Sequence, residues 1–171
     1  MQLDSLQALY IEGLRDIYSA ELQIVKALPK LQKGATSSEL NDAFTAHLEH
    51  SKGHVARLER ICEELSISPN GKHCKGMEGL LAEGADLLAE DAQPEVMDAG
   101  LISKAQHMEH YEIAGYGTLR TYAQLLGHDT QAELLGETLK EEEQTDQLLT
   151  GLALTVNMDA IAVGDSAVLA R

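Results

Sequence analysis

Leu3, Leu6, Tyr10, Leu14, Ile17, Ile24 and Leu28 recur at three- and four-residue steps and their sums, a spacing that only a helix gathers onto one face. It predicts a helix over 3–33, with Pro29 bending the last turns. Gly34 ends it, and Thr36-x-x-Glu39 offers a capping box for a second helix. That helix carries Leu40, Phe44, Leu48, Val55, Leu58, Cys62 and Leu65 on one stripe and stops near Ser66. From Ser68 to Gln93 the pattern breaks into a Pro-, Asn-, Gly- and Lys-containing stretch followed by a short helix over 77–90. Pro94 then opens a third long helix that ends at Gly127, and Thr130-x-x-Glu133 is a second capping-box candidate, for a fourth. Past Asn157 no helical period is visible, so the expected division is a helical domain over 1–157 and a tail over 158–171.

With no Trp, one Phe and three Pro, the composition favours helix over sheet and the fold class is all-α. Short links make the first and last pairs of long helices antiparallel hairpins, and the 68–93 stretch is a long crossover holding a short extra helix. Two hairpins joined by one long connection is the ferritin-like form of a four-helix bundle.

A net charge of −15, from 13 Lys and Arg against 28 Asp and Glu, repels phosphate backbones and anionic lipid surfaces, which disfavours nucleic acid and membrane as partners. No apolar run is long enough to span a bilayer and the N-terminus lacks a basic region before an apolar stretch, so the expected compartment is the cytoplasm. Cys62 and Cys74 form no disulfide framework or Cys-x-x-Cys site. They read as two reduced thiols, with a Cys62–Cys74 redox pair as the alternative.

Charged residues that fall on the apolar stripes are the candidates for chemistry. Glu21 lies on the first stripe. On the second helix His47, His50 and His54 form a ridge beside Ser51, whereas Glu49 points away. Glu109 and Glu112 share the third stripe while His107 and His110 point outward. Glu142, with Asp146 one turn on, lies on the fourth, flanked by the more exposed Glu141 and Glu143. Any one alone reads as a boundary residue; together, without Lys or Arg in register except Arg57 and Arg120 at the edges, they are most simply balanced by bound cations. The steps from Glu21 to His50 and His54 differ by one residue from those between Glu112 and the pair Glu142 and Asp146. Each hairpin thus supplies one Glu from its first helix and an i, i+4 pair from its second, the layout of a dinuclear site in a pseudo-twofold bundle. The candidate ligands are Glu21, His50, His54, Glu109, Glu112, Glu142 and Asp146.

From about Leu6 to Asn157 the chain resembles the YciF-like family of bacterial ferritin-like stress proteins. The likeness rests on Asp16-Ile-Tyr-Ser-Ala-Glu21, Ala27-Leu-Pro29, the stretch from Phe44 through His47 to Arg57-Leu-Glu59, Cys74 with Met77-Glu-Gly79, Glu109-His-Tyr-Glu-Ile-Ala-Gly-Tyr-Gly117, and Thr138-Leu-x-Glu-Glu142 with Asp146. The resemblance implies a ferritin-like fold, a homodimer and a di-iron site, with Glu21, His54, Glu109, Glu112, Glu142 and Asp146 as ligands. Where the family more often has Glu or Gln, this sequence has His50, which bears on the metal held.

Two function classes follow. In one, two Fe or Mn ions, suited to mixed carboxylate and imidazole donors, meet O2 or peroxide in ferroxidase or peroxide-consuming chemistry, with Tyr18, Tyr111 or Tyr116 as packing residues or as electron or hydrogen-bond donors. In the other, a non-catalytic stress or interaction protein keeps polar core residues without turnover. Nothing in the sequence indicates a cage-forming shell.

Overall fold

The computed structural model describes the backbone over residues 3–169 and side chains over 3–163. The described residues form five helices and no strands: α1 (Leu6–Gly34), α2 (Ser38–Glu64), α3 (Lys75–Leu88), α4 (Pro94–Leu125) and α5 (Asp129–Leu169). α1 and α2 pack along each other, as do α4 and α5. α1 also meets α4, α2 meets α5, and α3 lies across α1 and α4. The four long helices therefore surround one interior, in the order α1, α2, α5, α4. Tyr10, Leu14, Ile24, Leu28, Leu40, Phe44, Leu58, Leu101 and Tyr116 are among the side chains that fill it.

The turns have local causes. Ser37, not Thr36, caps α2, its Oγ accepting from the Leu40 N–H at 3.3 Å. Thr36 is diverted because the buried Asp98 of α4 accepts from its N–H and hydroxyl at 2.8 and 2.7 Å, and from the Ser37 N–H at 2.7 Å. That carboxylate ties the α1–α2 turn to the start of α4. Thr130 likewise lies inside the first turn of α5 and is not its cap. α2 and α4 end in the same Schellman arrangement: Ile67 and His128 donate back to Cys62 and Ala123. The left-handed residues this needs are Ser66 (φ 53°) and Gly127 (φ 74°).

The expected boundary at Asn157 is not a change in secondary structure, since α5 continues to Leu169. Val156 is the last buried side chain described, and Leu154, Met158 and Ile161 are exposed. Over 157–163 no side chain is buried, so this part of the helix has no buried stripe and no period to read. No Pro interrupts it, and a single Gly costs only about 1 kcal/mol. Residues 170–171 of the predicted tail lie outside the described residues.

No described helix is long and apolar enough to cross a membrane. Cys62 and Cys74 are both free and buried. Burial raises the pKa of each thiol, and Cys74 sits 2.9 Å from the Tyr111 hydroxyl and 3.2 Å from Asp16.

Candidate metal centre

Each long helix contributes to the interior at mid-height. On α1 Glu21 replaces an apolar residue between Ile17 and Ile24. On α2 His47, Ser51 and His54 continue the line from Phe44 to Leu58. On α4 Glu109, Glu112 and Tyr116 follow Ala105, and on α5 Thr138, Glu142 and Thr145 lead to Leu149. Helical periodicity alone puts these residues on the facing stripes. The result is four carboxylates and two imidazoles, none more than 2% exposed.

The contacts are close. His47 Nδ1 is 2.9 Å from Glu109 Oε1, and its Nε2 is 3.8 Å from Glu142 Oε2. His54 Nδ1 lies 3.1 Å from Glu21 Oε1 and 3.0 Å from Glu142 Oε1. These approaches pair charge without the alignment of hydrogen bonds. His47 Nε2, His54 Nδ1, Glu21 Oε2 and both carboxylate oxygens of Glu109, Glu112 and Glu142 have no hydrogen-bond partner. One donor atom from each of His47, Glu109, Glu112 and Glu142 lies within 4.8 Å of the others, and the same holds for Glu21, His54 and Glu142. Glu142 belongs to both groups.

Burial pulls the pKa of both histidines down, but the carboxylates overcome it. His47, facing Glu109, Glu142 and Glu21, is raised to about 9. His54, facing Glu142 and Glu21, is raised to about 10. Burial raises Glu109 to about 7 against the pull of His47. It raises Glu112 far above the usual carboxylate range, reinforced by Glu142, Glu21 and Glu109. Glu142 is held low, its burial outweighed by His54 and His47. Two imidazoles cannot balance four ionised carboxylates, and in the metal-free fold protons held on Glu109 and Glu112 make up the difference.

Around this centre lie groups that orient it. His54 Nε2 is 2.9 Å from Glu141 Oε2, and Arg57 grips Glu141 with Nη1 at 2.5 Å and Nη2 at 2.9 Å. The guanidinium holds the Glu141 pKa low. The Tyr116 hydroxyl donates to Glu21 Oε1 at 2.5 Å, and its ring meets His54 edge-on at 6.1 Å. Burial first, then the neighbouring carboxylates, push the Tyr116 pKa well up, so the residue stays a phenol. Beside His47 a cavity of about 110 Å³ opens, lined by Ala43, Ala46, His50, Gln144, Thr145 and Leu148.

Of the residues read from the sequence, Glu21, His54, Glu109, Glu112 and Glu142 come together here. His50 and Asp146 do not. His50 is exposed, its ring centroid 6.5 Å from that of His54. Asp146 is 20% exposed and turns to the α4 side, where Gln106 donates to it at 3.1 Å and His110 Nε2 is 3.4 Å away. The residue the expected set omitted is His47. Its signal was the seven-residue step to His54 across Ser51, in phase with Phe44 and Leu58, which the four-residue pairing of His50 with His54 obscured. Glu141, set aside as a flank, is the outer partner of His54. Glu49 is exposed and paired with Lys52, and His107 and His110 are exposed, as their phases predict.

The chain matches, over residues 5–161, the family described as a domain of unknown function, DUF892. It is 43% identical over 155 residues to Protein YciF of Escherichia coli (strain K12), covering 90% of this chain and 93% of that protein. The crystal structure of that stress protein superposes with a TM-score of 0.87 at 42% identity, over 90% of this chain and 98% of the other. YcfI of Rhodopseudomonas palustris follows with a TM-score of 0.84 at 39% identity, over 88% and 97%. A Xanthomonas campestris protein at 16% identity, with a TM-score of 0.76 over 94% and 99%, shares the fold. The chain belongs to the YciF-like family, the family of the DUF892 domain.

Proposed function

We propose that the four long helices are a ferritin-like four-helix bundle and that its interior holds two iron or manganese ions. The observation that carries this is the set of buried carboxylate and imidazole atoms without hydrogen-bond partners, gathered in two groups that share Glu142. Buried polar atoms are nearly always satisfied, and unpaired buried charge costs several kcal/mol. Oxygen and nitrogen donors without thiolate fit Fe or Mn, and divalent cations would take the place of the protons held on Glu109 and Glu112. One ion would be held by His47, Glu109, Glu112 and Glu142, the other by Glu21, His54 and Glu142. Such ions, when bound, supply one-electron redox chemistry toward O2 or peroxide. A relative named a stress protein fits that class of reaction, which we assign to a homodimer in the cytoplasm.

The chain's own residues have defined parts. His54 donates from Nε2 to Glu141, which leaves Nδ1 as the ring atom turned toward Glu21 and Glu142. Arg57 fixes Glu141 in that pose and keeps it ionised, the outer support that fixes a ligand histidine's tautomer and orientation. Tyr116 holds one oxygen of Glu21 and retains its proton, so the other oxygen, Oε2, is the free donor. Phe44 and Leu58, both buried, flank the centre along α2. The small cavity at His47 is the approach suited to a molecule the size of O2 or peroxide.

Titration of chelator-treated protein with Mn(II) and with Fe(II) under anaerobic conditions, read by bound metal per chain, tests this. Glu112→Ala and Glu21→Ala are expected to weaken binding at least about tenfold, and Glu49→Ala, on the opposite face of α2, to leave it unchanged. Equal, small effects for all three would leave a helical protein with solvated or protonated acids and no dinuclear site.

A further inference from the structure

On the side of the molecule away from α2 and α5, where α3 crosses α1 and α4, lies an apolar depression of about 320 Å³. Ala27 and Leu31 of α1, Leu81 and Leu88 of α3 and Met108 of α4 line it. It is within the size range of small-ligand sites. Lys26 and Lys30, one turn apart on α1, stand at its edge with Lys104. Lys104 is taken by Glu83 at 2.7 Å, and Glu78, the acid on the lining, lies 3.1 Å from His73. Among the described residues Lys26 and Lys30 have no carboxylate within ion-pair distance, although the chain carries 28 acids and a net charge of −15. Two unpaired ammonium groups beside an apolar floor, on so acidic a protein, are a local reversal of charge.

We propose that this depression binds an amphipathic carboxylate of the fatty-acid type, its chain against Leu31, Leu81 and Met108 and its carboxylate between Lys26 and Lys30. Charge complementarity selects an anion, and the apolar lining selects a hydrocarbon body. A peptide is a poorer fit, because its backbone amides need partners when buried and Gln23 is the one uncharged polar side chain on the lining. An anionic bilayer is repelled by the rest of the surface. The site is separate from the metal centre, and its occupancy does not depend on bound metal.

Binding of decanoate, below its micelle concentration, and of decanol to the full chain tests the assignment. Calorimetry would give affinity, and 13C-methyl methionine NMR would give location. Decanoate is expected to bind about fivefold to tenfold more tightly than decanol, the scale of two exposed ion pairs, and to shift the Met108 methyl resonance. Lys26→Gln with Lys30→Gln, both on exposed positions, should remove that preference and leave decanol binding unchanged. Ala85→Trp, at an exposed lining position, should weaken both ligands at least about tenfold. Equal affinity for decanoate and decanol, an unmoved Met108 methyl, or a preference that survives the double lysine substitution would each overturn the proposal. Association with anionic vesicles without binding of free decanoate would overturn it too.

Discussion

The two ends of the buried acidic cluster are supported differently. At the His54 end the ring is held from outside by Glu141, which Arg57 grips through two nitrogens, and Tyr116 pins one oxygen of Glu21. At the His47 end the ring meets Glu109 and Glu142 inside, and beside it lies the small cavity that reaches His50 and Leu148. Neither oxygen of the Glu112 carboxylate has a hydrogen-bond partner. The same donor types are thus braced by outer hydrogen bonds at one end and border a small cavity at the other. A site that must hold its ions and still admit a small molecule gains from that division, because geometry is fixed where nothing has to pass.

Removing the residue the two ends share should do most damage. Glu142 contributes to both groups, so Glu142→Ala is expected to abolish binding of both ions. Glu109→Ala should remove the ion at the His47 end and spare the other. Metal content after loading and desalting measures this. One ion retained by Glu142→Ala would mean that the two ends are separate sites rather than one centre.

Next in size is the outer support. Glu141→Gln keeps the shape but loses the charge that pairs with Arg57 and His54. It is expected to weaken the His54-end ion about tenfold to a hundredfold, with the His47-end ion unaffected. Stepwise Mn(II) titration followed by electron paramagnetic resonance separates the two events. Equal weakening at both ends would erase the contrast.

A smaller effect comes from pH acting on the metal-free protein. Glu109 and Glu112 have raised pKa values in the fold, so the stability their protonated forms give is lost as pH climbs from about 4.5 through about 7 and above. His47 and His54 are also raised, from 6.5 to about 9 and 10, so their contribution is complete below pH 6.5 and lost as pH rises through those values. Glu142, held low, already contributes fully in this range. All four raised groups point the same way, and the melting temperature of chelated protein should fall by at least about 5 °C between pH 5 and pH 8. With Mn(II) present the fall should shrink or reverse, because the ion competes with protons for the same atoms. Scanning calorimetry with and without chelator checks both halves, and a chelated protein that gains stability over this range would refute the assignment of unpaired buried acids.

What the sequence made legible was whatever repeats with the helix. The stripes located four long helices, and the acids on those stripes, Glu21, Glu109, Glu112 and Glu142, are all buried in the structure. Errors arose where two neighbouring phases compete. His50 lies 40° from His54 on an ideal helix and Asp146 lies 40° from Glu142, too small a difference for composition to resolve, and which edge faces inward is decided by how α2 and α5 are rotated against each other. Caps failed for a related reason. Thr36 fits a capping box locally, but Asp98, distant in sequence, claims it. The continuation of α5 past Asn157 was invisible because its side chains over 157–163 are not buried and show no period.

The smallest effect should come from His50, and it separates lining an approach from binding. The ring is exposed and outside both donor groups, yet it borders the cavity beside His47. His50→Ala is therefore expected to leave metal affinity and stoichiometry at wild-type values, since no donor atom is lost. Widening the mouth should instead change how fast an ion or small oxidant arrives, by about twofold, a modest change for trimming one side chain at an already open edge. Stopped-flow mixing with Fe(II), compared with equilibrium titration of the same variant, distinguishes the two. A loss of affinity with an unchanged rate would place His50 among the ligands and require α2 to turn by about 40° toward α5 when metal binds, bringing in the four-residue His50 and His54 pair in place of His47.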